Sequence, residues 1–232
     1  MFLILRLGWF VAVMKTVTGI DPLMLIKDSF ISWKERHGNI LFMFRRMYLA
    51  LAKLMGGRNQ LEKELYSLFD KGEHWHGNEP GHQIPFMYNY TNAPWKSQRI
   101  VRKILSEEYN DGPGGLSGND DAGQMSAWYI FGSIGFYPLD RISGNYLLVS
   151  PLFDSIKIKL PGNKIFKIIT HKSDSKTQFI KEVKWNRNIY DKNYLQHVSI
   201  MKGGELDIWL QDKPTTWGSN ISEQPKGLKN TK

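Results

Sequence analysis

Apolar residues recur with two different periods along this chain, and the change falls at Pro138. Before it the spacing is helical. Residues 49–55 form an apolar run that stops at Gly56-Gly57, which predicts a helix with a glycine C-terminus. Asn59 stands where a second helix needs a cap, and Leu61, Leu65, Leu68 and Phe69 then share one face. A polar loop with Gly, Pro and His follows over residues 71–83. Pro94 suits the first turn of a third helix, which should bury Trp95, Ile100, Val101, Ile104, Leu105 and Tyr109. Residues 110–118 hold too much Gly and Pro to stay helical. A last helix should run from about Ala122 to Gly135 with Met125, Trp128, Tyr129 and Phe131 inward. Helices joined by long loops imply an all-α hairpin array over residues 51–138.

After Pro138 the segments shorten and become β-branched or alternating: 145–149, 155–160, 165–170, 179–185, 197–201 and 205–210. Pro161-Gly162-Asn163 and Lys202-Gly203-Gly204 read as hairpin turns between them. Residues 139–217 should therefore form a small antiparallel sheet packed on the helical part, an α+β arrangement. Residues 218–232 are polar and should fray.

Composition narrows the chemistry. A chain of 232 residues, 41% hydrophobic with eight tryptophans, can bury a sizeable core. It has no cysteine, which excludes disulfides, thiolate metal sites and a thiol nucleophile. The net charge of +9 suggests nucleic acid until it is located. Residues 1–50 hold seven Lys/Arg against three Asp/Glu, and Lys226, Lys229 and Lys232 add three more. About +2 is left for residues 51–223, with no basic stripe interleaved with aromatic residues, so a phosphate-binding surface is not expected. The apolar start is interrupted by Arg6 and ended by Lys15, too short to span a membrane and without a clear cleavage site for export.

Two blocks some forty residues apart concentrate carboxylates and amides at chain reversals: Gly77-Asn78-Glu79-Pro80 and Gly118-Asn119-Asp120-Asp121-Ala122-Gly123-Gln124-Met125-Ser126. Asn119-Asp120-Asp121 could simply cap a helix. Three such side chains exceed what a cap needs, however, and a carboxylate held at a helix start stays ionised, as a general base requires. Asn78-Glu79 could be a plain turn, or part of a calcium site built from carboxylate, amide and carbonyl oxygens. His74, His76 and His82 nearby could bind zinc, touch sugar hydroxyls or lie at the surface; no HExxH spacing supports zinc. Tyr88, Tyr90, Trp95 and Trp128 are either core or stacking platforms. Gly112-Pro113-Gly114-Gly115 lacks the lysine of a phosphate loop, and no Ser or Thr sits in a nucleophile elbow. Carboxylates beside aromatic rings point to carbohydrate.

The run HGNEPGHQIPFMYNYTNAPWKSQ, followed by GPGGLSGNDDAGQMSAWYIFGSIGFYP, resembles family 92 of the glycoside hydrolases, the calcium-dependent exo-α-mannosidases. The resemblance covers residues 51–217 and implies an N-terminal β-sandwich followed by an (α/α)6 barrel. This chain would hold the last barrel helices and the terminal strands, and would need the sandwich and the remaining helices. The family's mechanism is inverting: one carboxylic acid protonates the leaving oxygen while an opposed carboxylate activates water. By this resemblance Asp121 aligns with the general base, and Asn119 falls where many members carry a second Asp that orients the water. The Gly77 carbonyl, Asn78 and Glu79 align with ligands of Ca2+, which would hold two hydroxyls of a mannose. His74 and His76, with Asp120, fall among substrate contacts. Mannose-containing glycans are the implied substrates, and family members are usually exported.

The general acid has no counterpart in the register the family requires. Leu54-Met55-Gly56-Gly57 matches, but residues 31–50 before it do not. Trp33-Lys34 must be encoded TGG-AAR, and reading from one base earlier forces a glutamate codon at that point. Permitted codons then recover the family's acid-bearing segment at the right distance, which implies that residues 1–50 are an out-of-frame, non-family segment. The expectation is a C-terminal fragment with the base and metal side of the site, inactive alone. A non-catalytic calcium-dependent carbohydrate-binding module is the alternative.

Overall fold

The computed structural model describes residue 52 and residues 55–140, 143–174 and 176–225. The reading of residues 1–50 as an out-of-frame segment lies outside these residues, as does nearly all of the helix expected over 49–55. Helix α1 (Arg58–Asp70) buries Leu61, Leu65 and Leu68, with Phe69 packed against the same core. Asn59 does not cap it. Gly57 holds the N-cap position, and Asn59 inside the first turn accepts a bond from Asn92 Nδ2 at 2.6 Å. A polar loop leads to a 3-10 turn, Glu79–Gly81, and a 3-10 helix, Ile84–Tyr90, in which every residue is buried. Helices α2 (Trp95–Glu107) and α3 (Gln124–Ile134) follow. Gly135 ends α3 at φ 94, a left-handed conformation that only glycine adopts without strain. Trp128 is fully buried on α3, whereas Tyr129, expected inward, is 37% exposed.

The strands are β1 (Phe136–Asp140), β2 (Asn145–Leu148), β3 (Ser155–Leu160), β4 (Lys164–His171), β5 (Phe179–Trp185), β6 (Asn188–Ile189), β7 (Tyr194–Gln196) and β8 (Gly204–Gln211). They form two sheets, not the one expected. A three-stranded antiparallel sheet has the order β1-β2-β7, and a five-stranded one has the order β3-β4-β8-β5-β6. In the second, β8 inserts between β4 and β5 and runs parallel to β4, so this sheet is mixed. Alternation in a strand tells which face is buried but not which strand lies beside it. Residues 197–201, expected as a strand, contain the one-turn helix α4 (His197–Ile200). Only Ile200 is buried there, so no second inward side chain demands the extended form.

The small sheet is a partition with both faces covered. Tyr137, Leu147 and Tyr194 are register partners and face the helical core, with Leu61, Phe86 and Trp128. Their neighbours Phe136, Leu148 and Leu195 face the core of the large sheet, with Phe166, Ile180 and Leu206. The two-residue period of a strand thus serves two cores at once. Buried polar links tie the halves together. The Ile180 N–H donates to Gln98 Oε1 at 2.8 Å, and Asn193 Nδ2 donates to the Asn89 carbonyl at 2.8 Å and the Gly218 carbonyl at 3.1 Å. The first part of the expected tail is held rather than frayed: Arg58 Nη2 donates to the Ser219 carbonyl at 2.7 Å, and Gln224 Nε2 to the Thr91 carbonyl at 3.1 Å.

Candidate active site

The two motifs read from the sequence meet at a pair of glycines. A Cβ on Gly118 would land on the Gly77 carbonyl, and one on Gly77 would lie 2.7 Å from the Ser117 carbonyl and from the Trp75 ring. Real Cβ atoms do not approach backbone so closely, so the absence of side chains lets the two loops lie back to back. The second loop is closed by a bridge between Tyr109 and Leu116 and by a bond from the Asn110 N–H to the Gly115 carbonyl at 3.0 Å.

The residues after Gly118 then turn into α3 by an unusual path. Asp121, Ala122 and Gly123 have φ of 44, 58 and 88, three left-handed residues in succession. Two of them carry a Cβ, and such backbone persists only where its surroundings hold it. Asp120 supplies part of that hold: its Oδ1 accepts the Ser126 N–H at 2.9 Å, and its carbonyl accepts the Met125 N–H at 3.3 Å. The capping function therefore belongs to Asp120, which precedes α3 and accepts a bond from its first turn. Asp121 is exposed and free to point elsewhere.

It points at Glu79. The Asp121 carboxyl lies in hydrogen-bonding contact with the Glu79 carboxylate, and this contact is the main reason its pKa is raised; partial desolvation and the charges of Glu79 and Asp120 add to it. The sequence suggested a carboxylate kept ionised by the helix start. The neighbouring acid, one contact away, acts in the opposite direction and makes Asp121 the stronger base. Glu79 Oε1 is itself buried, with no hydrogen-bond partner. Two touching carboxyls with an unsatisfied buried oxygen are the surroundings of a proton or a cation. Oxygen donors of this hardness fit Ca2+, with the Gly77 carbonyl and Asn78 on the same turn. Among the described residues no three His, Asp or Glu side chains converge as a metal cluster, so any such site would rely on backbone and amide oxygens. Asn78 and Asn119 are exposed on the two loops.

Beneath this surface lies a stack of rings. His76 is fully buried, 4.2 Å from Trp128 and 4.7 Å from His82 by ring centroids, and its Nε2 is 2.8 Å from the Tyr109 hydroxyl. Its Nδ1 has no partner, nor does either ring nitrogen of His74, which packs on Phe69 at 4.7 Å. Burial, aided by the charge of His82, pushes His74 down to about 4 and His76 to about 2, so both are neutral near pH 7. Tyr88, Tyr90 and Trp128 are buried, which makes them core rather than platforms.

The sequence offered His82 only with the other two histidines and gave it no role of its own, and it did not single out Tyr109 or Gln124 as site residues. Tyr109 bridges His76 and, at 3.2 Å, the Met125 carbonyl. Gln124 Nε2 lies 3.4 Å from both His82 Nδ1 and the Tyr137 hydroxyl. No local pattern encodes such contacts, which join segments 13 to 42 positions apart.

Comparison with known proteins bears on the family and the fold. Residues 37–212 match the glycosyl hydrolase family 92 catalytic domain. The fold superposes on a family GH92 α-mannosidase from Bacteroides thetaiotaomicron with a TM-score of 0.75 and 33% identity, over 79% of this chain and 26% of that one. An inverting GH92 mannosidase from the same species gives 0.76 and 27%, over 81% and 29%. A secreted glycosidase of Arthroderma benhamiae, itself uncharacterised, is 29% identical over 181 residues, 77% of this chain and 23% of that protein. The chain thus spans about a quarter of the length of these relatives. Both motifs of the site lie within the matched residues, and the chain belongs to glycosyl hydrolase family 92.

Proposed function

We propose that this chain carries the base and metal side of an inverting α-mannosidase site, whose substrates are mannose-containing glycans outside the cell. The contact between Glu79 and Asp121, two motifs joined only by folding, carries the reading. In it Asp121 takes the proton from the attacking water, Asn119 orients that water, and the unpartnered nitrogens of His74 receive sugar hydroxyls. The Gly77 carbonyl, Asn78 and Glu79 would hold Ca2+, which when bound supplies a fixed positive charge for two sugar hydroxyls. Glu79 is not the acid. In an inverting pair the carboxyls stand about 6.5–9.5 Å apart to admit water, and even a retaining pair stands about 5 Å apart. Glu79 touches Asp121.

The helical half would complete an (α/α)6 barrel with helices from the rest of a longer protein, where the opposed acid would lie. Without that acid the 232-residue chain loses about 10²–10⁴-fold in rate, and more with the rest of the pocket. Purified chain incubated with an α-1,2-mannobioside and Ca2+ should release no mannose, yet bind Ca2+ by calorimetry and lose that binding in Glu79→Gln. Wild-type chain that ignores Ca2+ would sink the reading. Calcium-dependent mannose binding that survives Asp121→Asn, in a stable monomer, would favour a binding module instead.

A further inference from the structure

His82 is 1% exposed and stands between the metal loop and helix α3. Its Nε2 lies 2.9 Å from the His76 carbonyl. A carbonyl only accepts, so Nε2 carries a proton. Nδ1 faces Gln124 Nε2, on the first residue of α3, at 3.4 Å. From the other side, Trp128 Nε1 donates to the His82 carbonyl at 2.8 Å. Helix α3 therefore grips His82 at ring and backbone, and His82 in turn grips the peptide between His76 and Gly77.

That peptide has little other freedom. On the Gly77 side it is bounded by the Ser117 carbonyl and the Trp75 ring, each where a Cβ would be 2.7 Å away. The plane of the 76–77 peptide sets the direction from which Gly77, Asn78 and Glu79 continue. We propose that His82 is a positioning residue: its Nε2–H, donated to the His76 carbonyl, fixes the peptide leading into Gly77 so that the oxygens of residues 77–79 converge on one cation. The inference rests on the calcium reading of that loop and assigns the histidine that organises it, not a ligand. Backbone partners one step behind a metal site typically govern affinity by about 10- to 100-fold.

The test is calorimetric titration of Ca2+ into the full 232-residue chain and its His82→Phe and His82→Gln variants, with metal-free melting of each. Phe keeps the ring and loses the donor; Gln places an amide N–H near the position of Nε2. His82→Phe should bind Ca2+ about 10- to 100-fold more weakly, and His82→Gln within about threefold of wild type, while the two variants melt together without metal. If His82→Phe does not fold, His82→Asn, whose amide stops short of the carbonyl, takes its place with the same expectation. Equal losses in the Gln and Phe variants, in step with equal losses of melting temperature, would reduce His82 to a structural residue and overturn the proposal. Unchanged affinity in His82→Phe would overturn it alone. Wild-type chain that fails to bind Ca2+ would overturn it together with the calcium reading.

Discussion

The carboxyl of Asp121 touches the carboxylate of Glu79, although Glu79 opens a 3-10 turn on one loop and Asp121 lies on another, three residues before helix α3. Like charges at contact favour keeping one proton, and the raised pKa of Asp121 expresses this. An acid whose folded pKa lies above its unfolded value holds a proton in the native state that the unfolded chain has already released. Stability therefore falls as pH rises through that window, and the penalty is full above the folded pKa. Asp121→Asn removes the penalty. In metal-free buffer the variant should melt higher than wild type at pH 7, and the difference should vanish near pH 3, as thermal scans at both values would show. A lower melting temperature at pH 7 would contradict the contact.

Gly118→Ala tests how the motifs are brought together. The added methyl meets the Gly77 carbonyl, which is backbone and has no rotamer to escape into. Relief requires the loops to part, at a cost of about 1–3 kcal/mol. Urea denaturation should show that loss, and Ca2+ affinity should fall with it. Gly114→Ala, where a Cβ meets nothing within 4 Å, is the control that should leave both unchanged.

Asp120 separates capping from catalysis. Its Oδ1 receives the Ser126 N–H on the first turn of α3, so Asp120→Ala should destabilise the chain by about 1 kcal/mol. Asp120→Asn retains an oxygen acceptor and should recover most of it. Denaturant midpoints of the three proteins decide this, and equal losses for Ala and Asn would mean that the negative charge, not the bond, is what matters.

His74 should make the fold acid-sensitive. Its pKa is pushed from 6.5 to about 4, mainly by burial. Between those values the unfolded chain takes up a proton that the native imidazole refuses, so stability drops as the pH falls from about 6.5 toward 4. One pKa unit corresponds to about 1.4 kcal/mol, which sets the loss on the order of 3 kcal/mol. His74→Phe preserves a ring against Phe69 and should make the slope between pH 7 and pH 5 shallower in urea titrations, leaving the share that buried His76 contributes.

The sequence by itself placed the helical and extended halves, because periods of 3.6 and 2 are written in neighbouring residues: Leu61, Leu65 and Leu68 along α1, and the alternating inward positions of β4 and β8. It also marked the two motifs, since their Gly, Asn and acid content is local composition. What it could not contain was partnership. The parallel placement of β8 beside β4, the division of Tyr137 and Phe136 between two cores, and the grip of His82 on the His76 carbonyl depend on which segments become neighbours. The same holds for the division of labour between Asp120 and Asp121: as candidate caps the two adjacent acids look alike in sequence, and only three left-handed residues turn one into a cap and the other toward Glu79. Local propensity acts along the chain, whereas a site is made by contacts across it. Those contacts exist only after two glycines allow two backbones to touch.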